Sequence, residues 1–502
     1  MSSAEKLFFK RNFSVTPPGK EKIHLRLFDA MAAQKKYDEE ALLRRCSPGL
    51  TTQNLSYQKH YLQKQICEAL LQYENLRQPG QDIYKQIQLV RMYRKKGLLR
   101  EAGETWKKAV TMARSSESFA LLNLLKTEFE KMVLFSSLDT RYDQLHSLFE
   151  DKLISYEVYA EMITLRDIYT ETLLLKRKAH YDLDPVLRER VRTLLDKVNG
   201  CTPFTESPSF WYGHYYRMSQ AVLLYLQSEH GGSLQILKEV LDDWKKNSRF
   251  LSTHGEFYIE LLYMVNYAGI LQGEYGYVEK SFNDPVNDRL TEPVQKANFE
   301  AIRFLALNKI LNKTARYAEV KKLVSKMKGQ YPSWEPLLNA DLNRTVQFSL
   351  GIGSFVLEQY DDALYFTKRA LTGFREGVRD EHTPLAHILL LLISYCMDNS
   401  RLFDATYRST YAYFYKRKKK QPFETALVQC LHRSFYLEDS RKKEAEYTRA
   451  LQVFEENKEN VIQQMSVNIF NYPGWLMSRV QRIPYRTFVE RKVKAERSDG
   501  GW

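Results

Sequence analysis

Residues 88–110 read QLVRMYRKKGLLREAGETWKKAV, and this stretch decides the fold. Leu89 and Tyr93 fall four apart on one helical face; beyond Gly97, Leu99, Ala102, Trp106 and Ala109 step by three, four and three along a second stripe. The spacing predicts two short antiparallel helices. Gly97 supplies the turn, because a glycine just past the last periodic residue takes the left-handed conformation without steric cost. Alanine at 102 and 109 lets two helix axes approach to roughly 8–9 Å. Such a pair must pack on itself and then on a neighbour of the same kind, a design that builds scaffolds rather than catalysts.

Composition agrees with an all-helical chain. With 33 Tyr and 26 Phe against 15 Pro and 21 Gly in 502 residues, there is ample core material and too few turn residues for an all-β protein. Hydrophobic residues at 44% and charged residues at 27% exclude general disorder. Cys46, Cys67, Cys201, Cys396 and Cys430 are odd in number and widely spaced, which matches neither a disulfide framework nor a zinc site and implies a reducing, cytoplasmic setting. The longest nearly apolar run, Ile388 to Met397, is about half a membrane span, so no membrane-spanning helix is expected. A formal net charge of +14 raises the question of an anionic partner without answering it.

Read along its length, the chain divides into a helical N-terminal unit over 1–80, helical-repeat regions over 81–200 and 201–478, and a basic, solvated C-terminal tail over 479–502. Ser2 to Glu5 has the spacing of a capping box. The prolines from Pro185 to Pro422 are expected between helices, none interrupting a stripe. A second hairpin is expected at Leu350, Gly351, Tyr360, Ala363, Ala370 and Leu371, with Ser354, Glu358 and Thr367 at the offsets of Tyr93, Gly97 and Trp106. A fainter third runs from Phe304 and Leu307 through Tyr317, Val320, Val324 and Met327.

The offsets of Tyr93, Gly97, Ala102, Trp106 and Ala109, and less fully those of 350–371, resemble the tetratricopeptide repeat. The resemblance implies a right-handed, all-α solenoid of irregular hairpins whose concave face holds a protein or peptide segment. Three further stretches, AEKLFFKRNF at 4–13, LFDAMAAQKKYDEEAL at 27–42 and RSTYAYFYKRKKK at 408–420, are similar to a group of cytosolic helical-repeat proteins of the Bacteroidetes, which brings no activity to transfer.

The inner helices of the two hairpins offer Gln86, Arg91, Arg94, Gln347 and Ser354 as exposed polar residues for a protein partner. A second set, Arg408 with Lys416, Arg417, Lys418, Lys419 and Lys420, follows the aromatic stripe Tyr407, Tyr411, Phe414 and Tyr415 and would suit the phosphates of a nucleic acid, the alternative to a protein partner; cations in a last helical turn also serve the helix dipole. Residues 81–115 form another basic stretch, nine Lys or Arg against three Asp or Glu. The cluster Phe210, Trp211, Tyr212, His214, Tyr215 and Tyr216 is expected in the core. His382 and His387 lie on different sides of a helix with Pro384 between them, which argues against a metal site, and His180 with Asp182 and Asp184 precedes a helix start. Gly351 and Gly353 follow no strand, so they are not a dinucleotide loop. No residues assemble a base, a nucleophile and an electrophile, so neither an enzyme nor a cofactor is expected.

Overall fold

The computed structural model describes residues 1–13, 23–34, 37–75, 81–134, 156–178, 183–202, 209–372, 382–417 and 420–498. These form twenty-four α-helices and no strand. They fall into two compact units, Met1–Leu148 and Phe149–Trp502. Among the described residues no helix is long and apolar enough to cross a membrane.

The first unit contains α1 (Ser3–Phe13), α2 (Ile23–Ala32), α3 (Glu39–Cys46), α4 (Thr52–Asn75), α5 (Gln81–Lys95), α6 (Leu99–Ser115) and α7 (Phe119–Leu134). The capping box forms: Glu5 N donates to Ser2 Oγ at 3.2 Å and Ser2 N to Glu5 Oε2 at 2.6 Å. Phe9, Leu27, Phe28, Leu42, Leu55 and Leu62 make the core of its first four helices. Helices α5 and α6 are the hairpin read from 88–110. Gly97 has φ 75°, and Leu98 N closes the helix on Tyr93 O at 2.9 Å. Ala102 and Ala109 are fully buried at the crossing. Trp106 carries the pair onto its neighbour: its Nε1 donates to Leu125 O at 2.7 Å and its ring lies 4.7 Å from Phe129, both in α7.

The second unit begins with α8 (Tyr156–Lys178) and α9 (Pro185–Asn199). Five hairpins follow: α10 (Phe210–Leu226) with α11 (His230–Lys246), α12 (Leu251–Leu271) with α13 (Tyr275–Phe282), α14 (Pro293–Lys313) with α15 (Tyr317–Trp334), α16 (Ala340–Val356) with α17 (Tyr360–Leu371), and α18 (His382–Cys396) with α19 (Ser400–Lys416). The unit ends with α20 (Pro422–Phe435), α21 (Ser440–Glu456), α22 (Val461–Ile469), α23 (Tyr472–Val480) and α24 (Tyr485–Ser498). First helices pack on first helices along the array, α12 on α14, α14 on α16 and α16 on α18.

All five hairpins share one turn. Three residues link the helices, and the middle one is left-handed: Ser228 (φ 67°), Gly273 (φ 72°), Ala315 (φ 57°), Glu358 (φ 61°) and Asp398 (φ 50°). The residue after it donates back to the carbonyl five positions earlier in four of them: Glu229 to Leu224, Glu274 to Gly269, Arg316 to Leu311 and Gln359 to Ser354. This is the bond made by Leu98 beside Gly97, so the repeat persists in the backbone where the glycine is lost. The left-handed residues of these five turns follow one another at forty to forty-five positions.

Glu358 thus does the work of Gly97, and Gly351 explains the missing large residue at 367. A β-carbon on Gly351 would overlap the Thr367 hydroxyl, so α16 and α17 approach through a small pair where the first hairpin uses Trp106. Leu350 and Ala363 are fully buried, as the second stripe requires, and so are Val320 and Val324 of the third.

Two expectations are corrected. Pro332 lies inside α15, two residues before its end, where the ring removes only one late helical bond. The C-terminal stretch is a helix, α24, and not a frayed tail: Val489 and Val493, four apart, enter the main core, and the Tyr485 ring lies 5.4 Å from Phe470. Pro17, Pro18, Pro79, Gly80, His180, Asp182, Pro203, Pro208, Asp380 and Glu381 lie outside the described residues.

Candidate functional site

The first helices of four hairpins of the second unit, α12, α14, α16 and α18, open onto a cavity of about 890 Å³. Each contributes residues spaced by three or four, so one stripe per helix faces it. From α12 come Glu256, Glu260, Tyr263 and Tyr267; from α14, Gln295, Asn298 and Ile302; from α16, Asp341, Arg344, Thr345 and Phe348. Lys176 of α8 and Thr383 and Ala386 of α18 complete the walls.

Charge inside the groove is mostly compensated. Lys176 pairs with Glu260 and lies 4.9 Å from the centre of the Tyr263 ring. Arg344 Nη2 reaches Asp341 Oδ1 at 2.7 Å, and Gln295 Nε2 donates to Glu256 Oε2 at 3.4 Å. Hydrogen-bonding capacity is left over: Gln295 Oε1 and the hydroxyl of Thr383 are buried without a partner among the described residues. At the far end of the same stripes, the Tyr263 and Tyr267 hydroxyls are 3.0 Å apart and Lys309 Nζ lies 5.8 Å from the Tyr267 ring centre. Burial, and then the charge of Lys313, lower Lys309 to about 7.

The residues expected to meet a partner are placed differently. Gln347 and Ser354 are buried, which corrects their assignment as contact residues. Gln347 Nε2 donates to the Tyr331 hydroxyl at 2.7 Å, and Ser354 sits in the contact between α16 and its neighbours. Helix α16 is enclosed on two sides, and its groove stripe passes through 341, 345 and 348, about 100° away from Gln347. Arg91 and Arg94 are drawn onto buried Glu128 of α7, at 2.9 Å and 3.7 Å, with Lys131 at 3.4 Å. Gln86 is half-buried on α5.

The basic run is divided. Arg417 Nη1 lies 2.8 and 2.9 Å from the two oxygens of buried Glu424, which also accepts from Gln421 N at the start of α20, so this arginine is structural. Lys416 and Lys420 are exposed, Arg408 is exposed on α19, and Lys418 and Lys419 lie outside the described residues.

The aromatic cluster at 210–216 is core. His214 Nδ1 accepts from Trp244 Nε1 at 3.2 Å, and Tyr212 donates to Thr202 O at 2.8 Å. Burial, with a smaller contribution from Arg217, lowers His214 to about 3. His387 stacks on Tyr413 at 4.3 Å, and among the described residues no group of three or more His, Cys, Asp or Glu is arranged to hold a metal ion.

The signal for the groove was present in the sequence. Helix α12 is apolar overall, yet Glu256, Glu260, Tyr263 and Tyr267 recur on one of its faces, and a polar stripe on a buried helix needs a reason.

No protein-family profile matches the chain. No curated protein matches it either. Among solved structures, the apo form of RapI is similar at a TM-score of 0.43 and 13% identity, over 80% of this chain and 99% of that one.

Proposed function

We propose that the protein is a non-catalytic binding scaffold or adaptor whose second unit holds a peptide segment of a protein partner in the groove between its first helices. The supporting observation is the combination of a cavity with walls from successive hairpins and polar atoms at Gln295 and Thr383 that have no partner among the described residues. A buried, unmade hydrogen bond costs about 1–3 kcal/mol, and an extended peptide backbone offers donors and acceptors in alternation along the groove. The groove's acids and bases largely cancel, which suits a polar, near-neutral segment anchored by apolar side chains against Ile259, Ile302 and Phe348. The same reading places the protein in the cytoplasm and in the wider company of tetratricopeptide-like proteins, including the Bacteroidetes group.

Selection of peptides from a random library against the whole chain, followed by titration of the best of them, tests this. Thr383→Val, which keeps side-chain shape and removes the hydroxyl, should weaken a selected peptide by about 1 kcal/mol or more. Peptides that bind Thr383→Val and Gln295→Ala as tightly as the parent would place the binding surface elsewhere.

A further inference from the structure

We infer that the outer face of α19 is a stacking platform for single-stranded nucleic acid. This surface is distinct from the groove and does not depend on it. Tyr407, Tyr411 and Tyr415 recur every four residues and project one ring per helical turn. Tyr411 is 55% and Tyr415 73% exposed, while Phe403 and Phe414 of the same helix supply its core face. Their ring centres are 6.0 and 6.3 Å apart with planes tilted by 36° and 22°, a ladder of roughly parallel faces. His432 of α20 stacks behind Tyr407 at 3.9 Å, and the half-exposed Tyr436 adjoins it at 5.9 Å. Single exposed apolar residues need no explanation, but a contiguous aromatic row is a binding feature.

Cations frame the ladder. Lys420 Nζ lies 5.9 Å from the Tyr415 ring centre, Arg433 is close enough to act on the Tyr407 hydroxyl, and exposed Arg408 and Lys416 share the helix. The acids here are engaged: Asp404 accepts from the Tyr436 hydroxyl, Glu446 is held by Arg433 and Arg449, and Glu424 by Arg417. Rings that accept any base, beside cations that follow a backbone, fit a single strand; a duplex hides its base faces in its own stack. The charge arrangement alone would suit any polyanion, and the rings supply the preference for bases.

Fluorescence anisotropy with a short labelled oligothymidine at low salt, set beside an abasic strand of equal length and the same sequence as duplex, tests the assignment. The single strand should bind more tightly than either control. Tyr411→Ala with Tyr415→Ala should weaken it by about tenfold or more. Arg408→Gln, Lys416→Gln and Lys420→Gln together should flatten the dependence on salt. Near-ultraviolet circular dichroism of each variant checks that the fold is kept. Failure to bind the single strand, equal binding of the abasic strand, or tyrosine variants that bind like the parent would each overturn the proposal, the latter two leaving an unspecific cationic surface of the kind that also holds acidic vesicles. Groove variants such as Thr383→Val should leave oligonucleotide binding unchanged, so the two surfaces are tested separately.

Discussion

His214 shows how a single buried group ties stability to pH. Its Nδ1 accepts from Trp244, which puts the proton on Nε2, and Nε2 is buried without a partner among the described residues. The folded protein therefore holds the ring neutral down to about 3, whereas the unfolded chain protonates it near its ordinary value of 6.5. Between those values the unfolded state binds the extra proton, so this contribution is complete above about 6.5 and is lost as pH falls toward 3. The expected slope is at most about 1.4 kcal/mol per pH unit. Urea midpoints at pH 7 and pH 5 should fall more for the parent than for His214→Asn, which keeps an acceptor near Trp244 and cannot titrate; equal falls would contradict the assignment. Residues in tight, regular packing were legible in the sequence, as Ala102, Trp106 and Ala109 show. Gln347 and Ser354 were not, because a helix enclosed on two sides carries polar residues on a buried face as readily as on an open one, and helical spacing alone does not distinguish those faces.

At the level of elements, the turn is the repeated unit. Five hairpins of the second unit use the same left-handed middle residue, and only Gly273 among them is a glycine. A non-glycine residue in that conformation costs roughly 1–2 kcal/mol, partly offset by the greater freedom glycine has when unfolded. Ala315→Gly is therefore expected to stabilise the second unit by about 0.5–1 kcal/mol, and Gly273→Ala to destabilise it by about 1 kcal/mol, both read from denaturant midpoints. Glu358 behaves differently, since its carboxylate meets Arg486 of α24 at 3.0 Å, and Glu358→Gly gives up that contact as it relieves the backbone. The first hairpin was legible because glycine and alanine advertise the turn and the crossing. The hairpin at 315 was faint, and those at 228 and 398 were hidden, because Ala, Ser and Asp can adopt the same backbone without announcing it.

Across the second unit, α24 runs along the tips of successive hairpins. Arg486 meets Glu358 in the turn after α16, Glu490 acts on Tyr317 at the start of α15, Lys492 on Lys313 at the end of α14, and Glu496 on Tyr275 at the start of α13. The helix thus steps back by one hairpin for about every five residues, and Val489 and Val493 fix its inner face in the core. Its charges masked this role in the sequence, where Tyr485, Phe488, Val489 and Val493 make a short apolar stripe among charged neighbours. Removing residues 483–502 should lower the unfolding temperature of the second unit and increase hydrogen exchange at 313–317 and 356–360, and unchanged exchange there would mean that α24 is not a strap. The proposed function rests on the groove formed by the first helices of these hairpins. Hydrogen exchange of the full chain with and without a library-selected peptide tests it: new protection is expected at 256–267, 295–302, 341–348 and 382–386, and protection confined to other helices would place the peptide outside the groove.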